Sequence, residues 1–188
     1  GLKILLFTSA FFTLAASMFL PIYAVFVKEI GGDLLTAGYT YAAFAITMGL
    51  IIFLISRWED HVKHLEKFIV VGDIIRTIGF FSYIFVVTPI QLFIVQIILG
   101  IGAAIEFPAY DGLYSKLLGR GKFVSEWGMW ESMTFIVTAI AALIGSYIAT
   151  FFGFRSVFVF MFLASLIGSF ISFSLLKYHR NHLKMKKR

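Results

Sequence analysis

Long runs of apolar residues, separated by short charged segments, dominate the chain. Six of these runs can cross a membrane, since a helix needs about 20 predominantly apolar residues to span the hydrocarbon core. They are Ile4–Val27, Leu34–Ser56, Phe68–Val87, Ile90–Phe107, Met133–Phe152 and Ser156–Leu176. Membrane-spanning strands need only about 9–11 residues, so the lengths indicate helices. The expected fold class is an all-α membrane protein with six transmembrane helices.

Composition supports a lipid environment. Of the 188 residues, 60% are hydrophobic and 14% are charged, whereas soluble domains are about 45–50% apolar and about 25% charged. The chain has no cysteine, which excludes a disulfide scaffold. No nucleotide loop, metal cluster or Ser/His/Asp constellation is present, so we expect no cofactor, no metal and no enzyme activity.

The basic residues predict an orientation, because Lys and Arg accumulate in cytoplasmic loops. With the N-terminus inside, thirteen of the sixteen Lys and Arg residues lie on the cytoplasmic side, against Lys28 and Arg155 outside. We therefore expect a multi-pass protein of the cytoplasmic (inner) membrane with both termini in the cytoplasm. The basic tail, residues 178–188, is expected to bind anionic lipid headgroups rather than nucleic acid.

An internal repeat is visible when the chain is shifted by 87 residues, the separation of Pro21 and Pro108. Phe19–Tyr23 then falls on Glu106–Tyr110, and both segments contain Pro-x-Tyr. Chance similarity between apolar segments is the alternative. The single domain, 1–188, would contain repeat 1 at about 1–88 and repeat 2 at about 89–177. Three helices per repeat require opposite orientations, and two inverted three-helix repeats are typical of secondary transporters.

Three segments carry recognisable motifs. After the second run, Ser56–His64 looks like Gly-x-x-x-Asp-Arg-x-Gly-Arg, and Asp60 matches its aspartate. In the fourth run, Gln96–Ala103 looks like Arg-x-x-x-Gly-x-Gly-Ala, and in the fifth, Ala141–Ser146 stands in place of Gly-Pro-x-x-Gly-Gly. With these motifs the chain resembles the N-terminal half of a major facilitator superfamily transporter over essentially all six runs.

The resemblance implies the major facilitator half-fold and a secondary active transporter of a small solute that works by alternating access. Typical members have twelve spans in two halves with the path between them, so a homodimer of this six-helix chain is expected. Gln96 replaces the motif's arginine and Ala142 its proline, so proton antiport is not implied, and proton coupling stays open. The alternatives are a non-transporting scaffold or partner subunit, or one half of a twelve-helix protein.

Four carboxylates flank the predicted hairpin between the fourth and fifth helices. Glu106 and Glu131 lie equally far from its midpoint, as do Asp111 and Glu126. In an antiparallel helix pair each couple would lie at one depth, and two facing carboxylates would share a proton. With Gln96, these four are the candidates for transport or proton binding. The alternative for Asp111 and Glu126 is pairing with Lys116, Arg120 or Lys122.

Polar stripes suggest where a path would run. The candidates for cavity lining are Ser9, Thr13, Ser17 and Tyr23 on the first helix, Tyr110 on the fourth, and Trp130, Thr134 and Thr138 on the fifth. Such stripes line a cavity or mediate close packing, and the family resemblance favours a cavity. Asp73 and Arg76, spaced i,i+3, are expected to form a structural ion pair. Asp60 is expected to act as a gate. Expected partners are the lipid bilayer, a small-molecule substrate and a second copy.

Overall fold

The computed structural model describes residues 1–59, 62, 64–119 and 121–185, and within these ranges it contains helices and turns but no strand. Six helices are long and apolar enough to cross a membrane. The first comprises Leu2–Phe19 and Tyr23–Glu29, joined by a 3₁₀ turn at Leu20–Ile22, and the second is Leu34–Glu59. The third is Leu65–Ser82, continued by a 3₁₀ turn at Tyr83–Phe85; the others are Pro89–Leu117, Phe123–Phe152 and Phe154–Met185. The predicted fold class is confirmed.

Two helices extend beyond their apolar runs at the hairpin between them. The fourth helix passes through Pro108 and ends at Leu117, and the fifth begins at Phe123 instead of Met133. Apolarity detects only the part of a helix that lies in hydrocarbon, whereas these extensions contain Lys116, Glu126 and other polar residues. The hairpin connection is therefore shorter than the sequence indicated.

The helix ends opposite the chain termini carry capping residues. An even number of spans places both termini at one end of the bundle, which we name the termini side. On the opposite side, the Thr36 N–H donates to Asp33 Oδ1 at 2.7 Å, and the Gln91 N–H donates to Thr88 Oγ1 at 3.4 Å. Gly153, with φ of 79°, makes the turn between the fifth and sixth helices. These caps satisfy backbone groups that the helices leave free.

The helices pack in a pattern that relates the two halves of the chain. The first helix packs against the fifth and sixth, the fourth packs against the second and third, and the third meets the sixth. This pattern is unchanged when the first three helices are exchanged with the last three, as an inverted repeat requires. The repeat itself stays a prediction.

Aromatic clusters pack at the two ends of the bundle. On the opposite side, the Phe19 ring lies 5.1 Å from both Tyr83 and Phe158, measured between ring centroids. On the termini side, the Tyr114 and Trp127 rings lie 4.9 Å apart. Edge-to-face contacts of this kind add to the burial of the rings. The middle of the bundle holds the polar side chains that form the candidate site.

Candidate functional site

Two cavities approach each other along the bundle. The termini-side cavity, about 270 Å³, is lined by Ser9, Phe12, Thr13, Arg76, Glu106, Phe107, Tyr110, Asp111, Trp130 and Thr134. The opposite-side cavity, about 210 Å³, is lined by Ala16, Ser17, Phe19, Leu20, Tyr23, Tyr41, Phe44, Arg76, Phe80, Tyr83, Gln96, Leu99, Ala103, Phe107 and Met161. Arg76 and Phe107 line both cavities, so they belong to the wall between them.

Most of the residues predicted to line a cavity lie on these walls. Ser9, Thr13, Tyr110, Trp130 and Thr134 line the termini-side cavity, and Ser17 and Tyr23 line the opposite-side cavity. Thr138 lies beside Ser17, and their hydroxyl oxygens are 3.1 Å apart. The polar stripes of the first and fifth helices therefore contact each other. Part of them lines the cavities, and Ser17 and Thr138 form a packing contact between the two helices.

An ion pair forms the charged centre of the wall. The Arg76 guanidinium donates to Glu106 Oε2, and both residues are buried. The guanidinium carbon lies 4.5 Å from the centroid of the Phe12 ring and 5.4 Å from that of Phe107. Aromatic faces attract cations, most strongly when water is excluded. The two rings thus cover the pair where it borders the cavities.

The expected pairing of Arg76 with Asp73 is corrected, because Arg76 reaches across to the fourth helix. Two glycines let the helices approach: a Cβ on Gly72 would lie 2.7 Å from the Cβ of Glu106, and a Cβ on Gly102 would lie 2.7 Å from the Cγ of Arg76. At that separation the guanidinium meets Glu106 directly. Small residues at helix interfaces permit such approaches in membranes.

Asp73 carries a carboxyl group that has no access to solvent. Its side chain is fully buried, and neither carboxyl oxygen has a hydrogen-bond partner within the described residues. Near it, the Thr77 and Ser169 hydroxyl oxygens of the third and sixth helices are 2.8 Å apart. Within the sixth helix, Ser172 donates to the Ser169 carbonyl at 2.8 Å. These residues line neither of the two cavities; Thr77 and Ser169 instead border an apolar groove between the third and sixth helices, so this interface is dry but not fully closed.

A hydrogen-bond chain joins three helices on the opposite side. Gln96 Nε2 donates to the Tyr23 hydroxyl at 2.7 Å, and Tyr23 lies 2.8 Å from the Thr40 hydroxyl oxygen. Thr40 in turn donates to the Thr36 carbonyl at 2.7 Å. Gln96, which stands where the family motif has arginine, is thus held by neutral partners.

Further hydrogen bonds fix the termini-side cavity. Trp130 Nε1 donates to Ser9 Oγ at 3.1 Å, and the Tyr110 hydroxyl donates to the Leu5 carbonyl at 3.2 Å. The first helix therefore lies beside both the fourth and the fifth at this cavity. Further along, at the level of the opposite-side cavity, a Cβ on Gly145 would lie only 2.0 Å from the Met18 carbonyl oxygen, so the backbones of the first and fifth helices are in contact there.

The hairpin carboxylates do not form the pairs that the sequence suggested. Glu106 is buried with Arg76, whereas Glu131 is exposed, and no hydrogen bond joins the two in the described part of the chain. Asp111 is exposed at the cavity wall. Glu126 Oε2 accepts from the Gly119 N–H at 2.9 Å and so closes the hairpin. The reason is topological: the fourth and fifth helices each pack mainly on other helices.

Some predicted residues lie outside the described ranges. Asp60, the predicted gate, is one of them, as is Arg120, a predicted partner of the hairpin carboxylates. His64, next to the gating loop, contacts Glu66 with 3.1 Å between Nδ1 and Oε1. Among the described residues, no group of three potential metal ligands is present.

Sequence reasoning missed several residues of the site. Phe12 and Phe107 cover the ion pair, and Thr36 and Thr40 complete the hydrogen-bond chain. Aromatic residues are so frequent in this chain that position alone gave no signal. Thr36 and Thr40, spaced i,i+4, did give one, since they place two hydroxyls on one helix face.

Comparison with known proteins agrees with this architecture. The family model described as Major Facilitator Superfamily matches residues 5–187. A relative from Bacillus subtilis (strain 168), named as an uncharacterized MFS-type transporter, YitZ, is 24% identical over 144 residues, which cover 77% of this chain and 87% of the relative. With a six-helix membrane bundle and a family match along nearly its whole length, the chain belongs to the Major Facilitator Superfamily.

Proposed function

We propose that the protein is a secondary active transporter of a small solute and works by alternating access as a homodimer. One observation carries the proposal: the Arg76–Glu106 pair lies in the wall between two cavities that approach it from opposite sides. Ionisable side chains are costly inside a membrane, and they usually mark a path. Family membership and a relative described as a transporter support the same conclusion.

Alternating access requires that only one cavity communicates with its side at a time. The wall between the cavities consists of large or charged side chains, Arg76 and Phe107. A rocking movement of helices at this wall would transfer a solute from one cavity to the other. The hydroxyls and aromatic rings on both sides suit a small polar or amphipathic solute.

The proposed dimer interface is the face formed by the second and fifth helices. In the 18-residue apolar stretch that represents each span, 6% of the second helix and 17% of the fifth is buried, against 39–50% for the other four. Large side chains such as Phe53 and Phe135 are 69% and 72% exposed. Since Tyr41 and Phe44 of the second helix also line the opposite-side cavity, a second copy on this face would close that cavity laterally.

Uptake into proteoliposomes tests the transport proposal. A panel of radiolabelled solutes is offered with and without a proton gradient, and uptake is compared between the native protein and Thr13→Trp, which would fill the termini-side cavity. Phe160→Trp, on an exposed position of the sixth helix, is the matched control. We expect Thr13→Trp to abolish uptake and Phe160→Trp to retain it. Equal uptake by both variants would contradict a path through this cavity, and no uptake of any solute would favour a scaffold.

Cross-linking tests the dimer directly, because the chain has no native cysteine. Phe53→Cys and Phe135→Cys are expected to form disulfide-linked dimers in membranes, whereas Phe160→Cys on the sixth helix is expected to stay monomeric. Cross-linking of Phe160→Cys alone would place the interface elsewhere. A label that does not cross the membrane is expected to reach the C-terminal tail from one side only, since both chains of a parallel dimer have the same orientation in the membrane.

A further inference from the structure

The buried Asp73 carboxyl has no role in the ion pair, and its surroundings define its state. It is fully buried on the third helix, and its two oxygens have no hydrogen-bond partner within the described residues. An ionised carboxylate without partners is so unfavourable in an apolar environment that the group binds a proton instead. We therefore expect the Asp73 side chain to be the neutral, protonated acid while Arg76 pairs with Glu106.

The groups that face Asp73 support the same assignment. Arg76 follows at i+3 on the same helix, and Glu106 faces it from the fourth helix. From the sixth helix comes Ser172, whose hydroxyl proton is already donated to the Ser169 carbonyl. In this rotamer Ser172 can accept a hydrogen bond from Asp73, whereas rotation of its hydroxyl would let it donate to an ionised Asp73 instead. Only a protonated carboxyl can use that acceptor.

The charges of Asp73, Arg76 and Glu106, which we name the buried triad, balance only with one bound proton. With both carboxyls ionised, one guanidinium would leave a net negative charge on three buried side chains. We propose that the buried triad is a single-proton site, in which the proton resides on Asp73 while Arg76 pairs with Glu106 and on Glu106 while Arg76 pairs with Asp73.

Arg76 can select between the two carboxyls because it lies within reach of both. It pairs with Glu106 across the helix interface, and residues at i and i+3 on one helix are neighbours. When Arg76 turns to Asp73, Asp73 loses its proton and Glu106 gains one, so the triad stays neutral. Glu106 lines the termini-side cavity and Asp73 does not. The movement of Arg76 therefore decides whether the proton borders the cavity.

This inference rests on the proposed transport function for its role, because a proton that changes position with Arg76 would supply the coupling ion. It differs from the sequence-based expectation, which placed a shared proton between Glu106 and Glu131. A metal cation is a poorer occupant, since hard cations take several oxygen ligands. Around Asp73 the described residues offer its own carboxyl and the Ser172 hydroxyl, with the Arg76 guanidinium nearby.

Infrared difference spectroscopy on the purified full chain tests the proton directly. The native protein at neutral pH is expected to show the carbonyl stretch of a buried carboxylic acid, shifted in deuterated buffer. Asp73→Asn is expected to lose this band. Glu29→Gln, a change at an exposed carboxylate at the end of the first helix, is the control and is expected to keep it. Absence of the band from the native protein, or its persistence in Asp73→Asn, would overturn the proposal.

Two further variants test the switch. In Glu106→Gln, Arg76 has only Asp73 to pair with, so Asp73 ionises and the band disappears although Asp73 is intact. In Arg76→Gln, both carboxyls lose their cation and bind protons, so the band grows about twofold. An unchanged band in Glu106→Gln would overturn the switch, and the native spectrum decides the proton site even if Arg76→Gln does not fold.

The same samples separate this proposal from its alternatives. Thermal stability is measured in sodium chloride and in choline chloride. Stabilisation by sodium that disappears in Asp73→Asn, without an acid band in the native protein, would assign a cation site and overturn the proton site. An acid band that behaves as expected in a protein that transports none of the tested solutes would leave the triad standing and count against the transport function alone.

Discussion

The interface between the first and fifth helices and the interface between the third and sixth helices use the same side chains in different environments. Each contains a hydroxyl pair: Ser17 and Thr138 are 3.1 Å apart, and Thr77 and Ser169 are 2.8 Å apart. The first pair borders the opposite-side cavity through Ser17. The second pair is buried beside Asp73, away from both cavities.

The difference shows that a polar stripe on a membrane helix does not by itself mark a path. Hydroxyls stabilise helix contacts in lipid because their alternative is an unsatisfied group in hydrocarbon. They line a cavity only where neighbouring helices leave space. At the first–fifth interface the backbones touch at Gly145 and Met18, while along the same first helix Thr13 lines the termini-side cavity and Ser17 lines the opposite-side cavity. At the third–sixth interface the hydroxyl pair borders only an apolar groove between the two helices.

The largest loss of stability is expected from changes to the carboxyl partners of Arg76, which lines both cavities. The double variant Asp73→Asn, Glu106→Gln leaves this guanidinium buried without a carboxylate, which costs about 3–5 kcal/mol of unfolding free energy. Each single variant leaves Arg76 one partner and is expected to cost much less. Unfolding in mild detergent, followed by circular dichroism, measures the three values. Additive single and double effects would show that the two carboxyls do not share Arg76.

The next effect concerns the backbone contact of the cavity-lining interface. Gly145→Ala places a methyl group 2.0 Å from the Met18 carbonyl oxygen, so the first and fifth helices must separate. Overpacking of this kind costs about 1–3 kcal/mol. The matched control is Gly128→Ala on the same helix, where a Cβ meets no atom within 4 Å and where stability should be equal or slightly higher. Equal melting temperatures for both variants would show that the first–fifth contact is loose.

A smaller effect compares the two hydroxyl pairs. Thr77→Val removes a hydrogen bond from the dry interface while keeping the shape, and the expected loss is about 0.6 kcal/mol. Ser17→Ala removes one beside a cavity, where water can replace it, so its loss of stability should be smaller while uptake changes. Melting temperature and initial uptake rate are measured on both variants. A stability loss at Ser17 as large as at Thr77 would show that the cavity is dry.

The smallest effect lies at the exposed cap of the second helix. Hydrogen bonds from the Thr36 hydroxyl and N–H lower the pKa of the Asp33 carboxyl. Because the folded pKa is the lower one, the cap stabilises the protein above the ordinary aspartate pKa and this stabilisation is lost as the pH falls through the lowered pKa. Asp33→Asn keeps a capping side chain but cannot titrate. Its melting temperature should fall less on acidification than that of the native protein. An equal fall would show that protonation of Asp33 does not contribute to the loss of stability at low pH.

The spans could be predicted from the sequence because apolar length decides them, and the resemblance gave the half-fold. The partner of Arg76 could not be predicted, because local spacing favours Asp73 whereas the choice depends on the close approach that Gly72 and Gly102 allow between two helices. The prediction that Glu106 pairs with Glu131 was wrong for a similar reason. Symmetry about a hairpin gives depth, but the neighbours of each helix are decided by the packing of the whole bundle.

In the hydrogen-bond chain on the opposite side, each donor is determined by the next residue along the chain, from Thr36 to Gln96 at the cavity wall. Because the Thr40 hydroxyl proton is donated to the Thr36 carbonyl, Tyr23 must donate to Thr40, and Gln96 must present its amide nitrogen to Tyr23. The rotamer of Gln96 is thus set from the first turn of another helix, and its carbonyl oxygen is turned away from Tyr23. A solute that reaches Gln96 would meet an acceptor, so this wall would discriminate in favour of molecules that bring a donor.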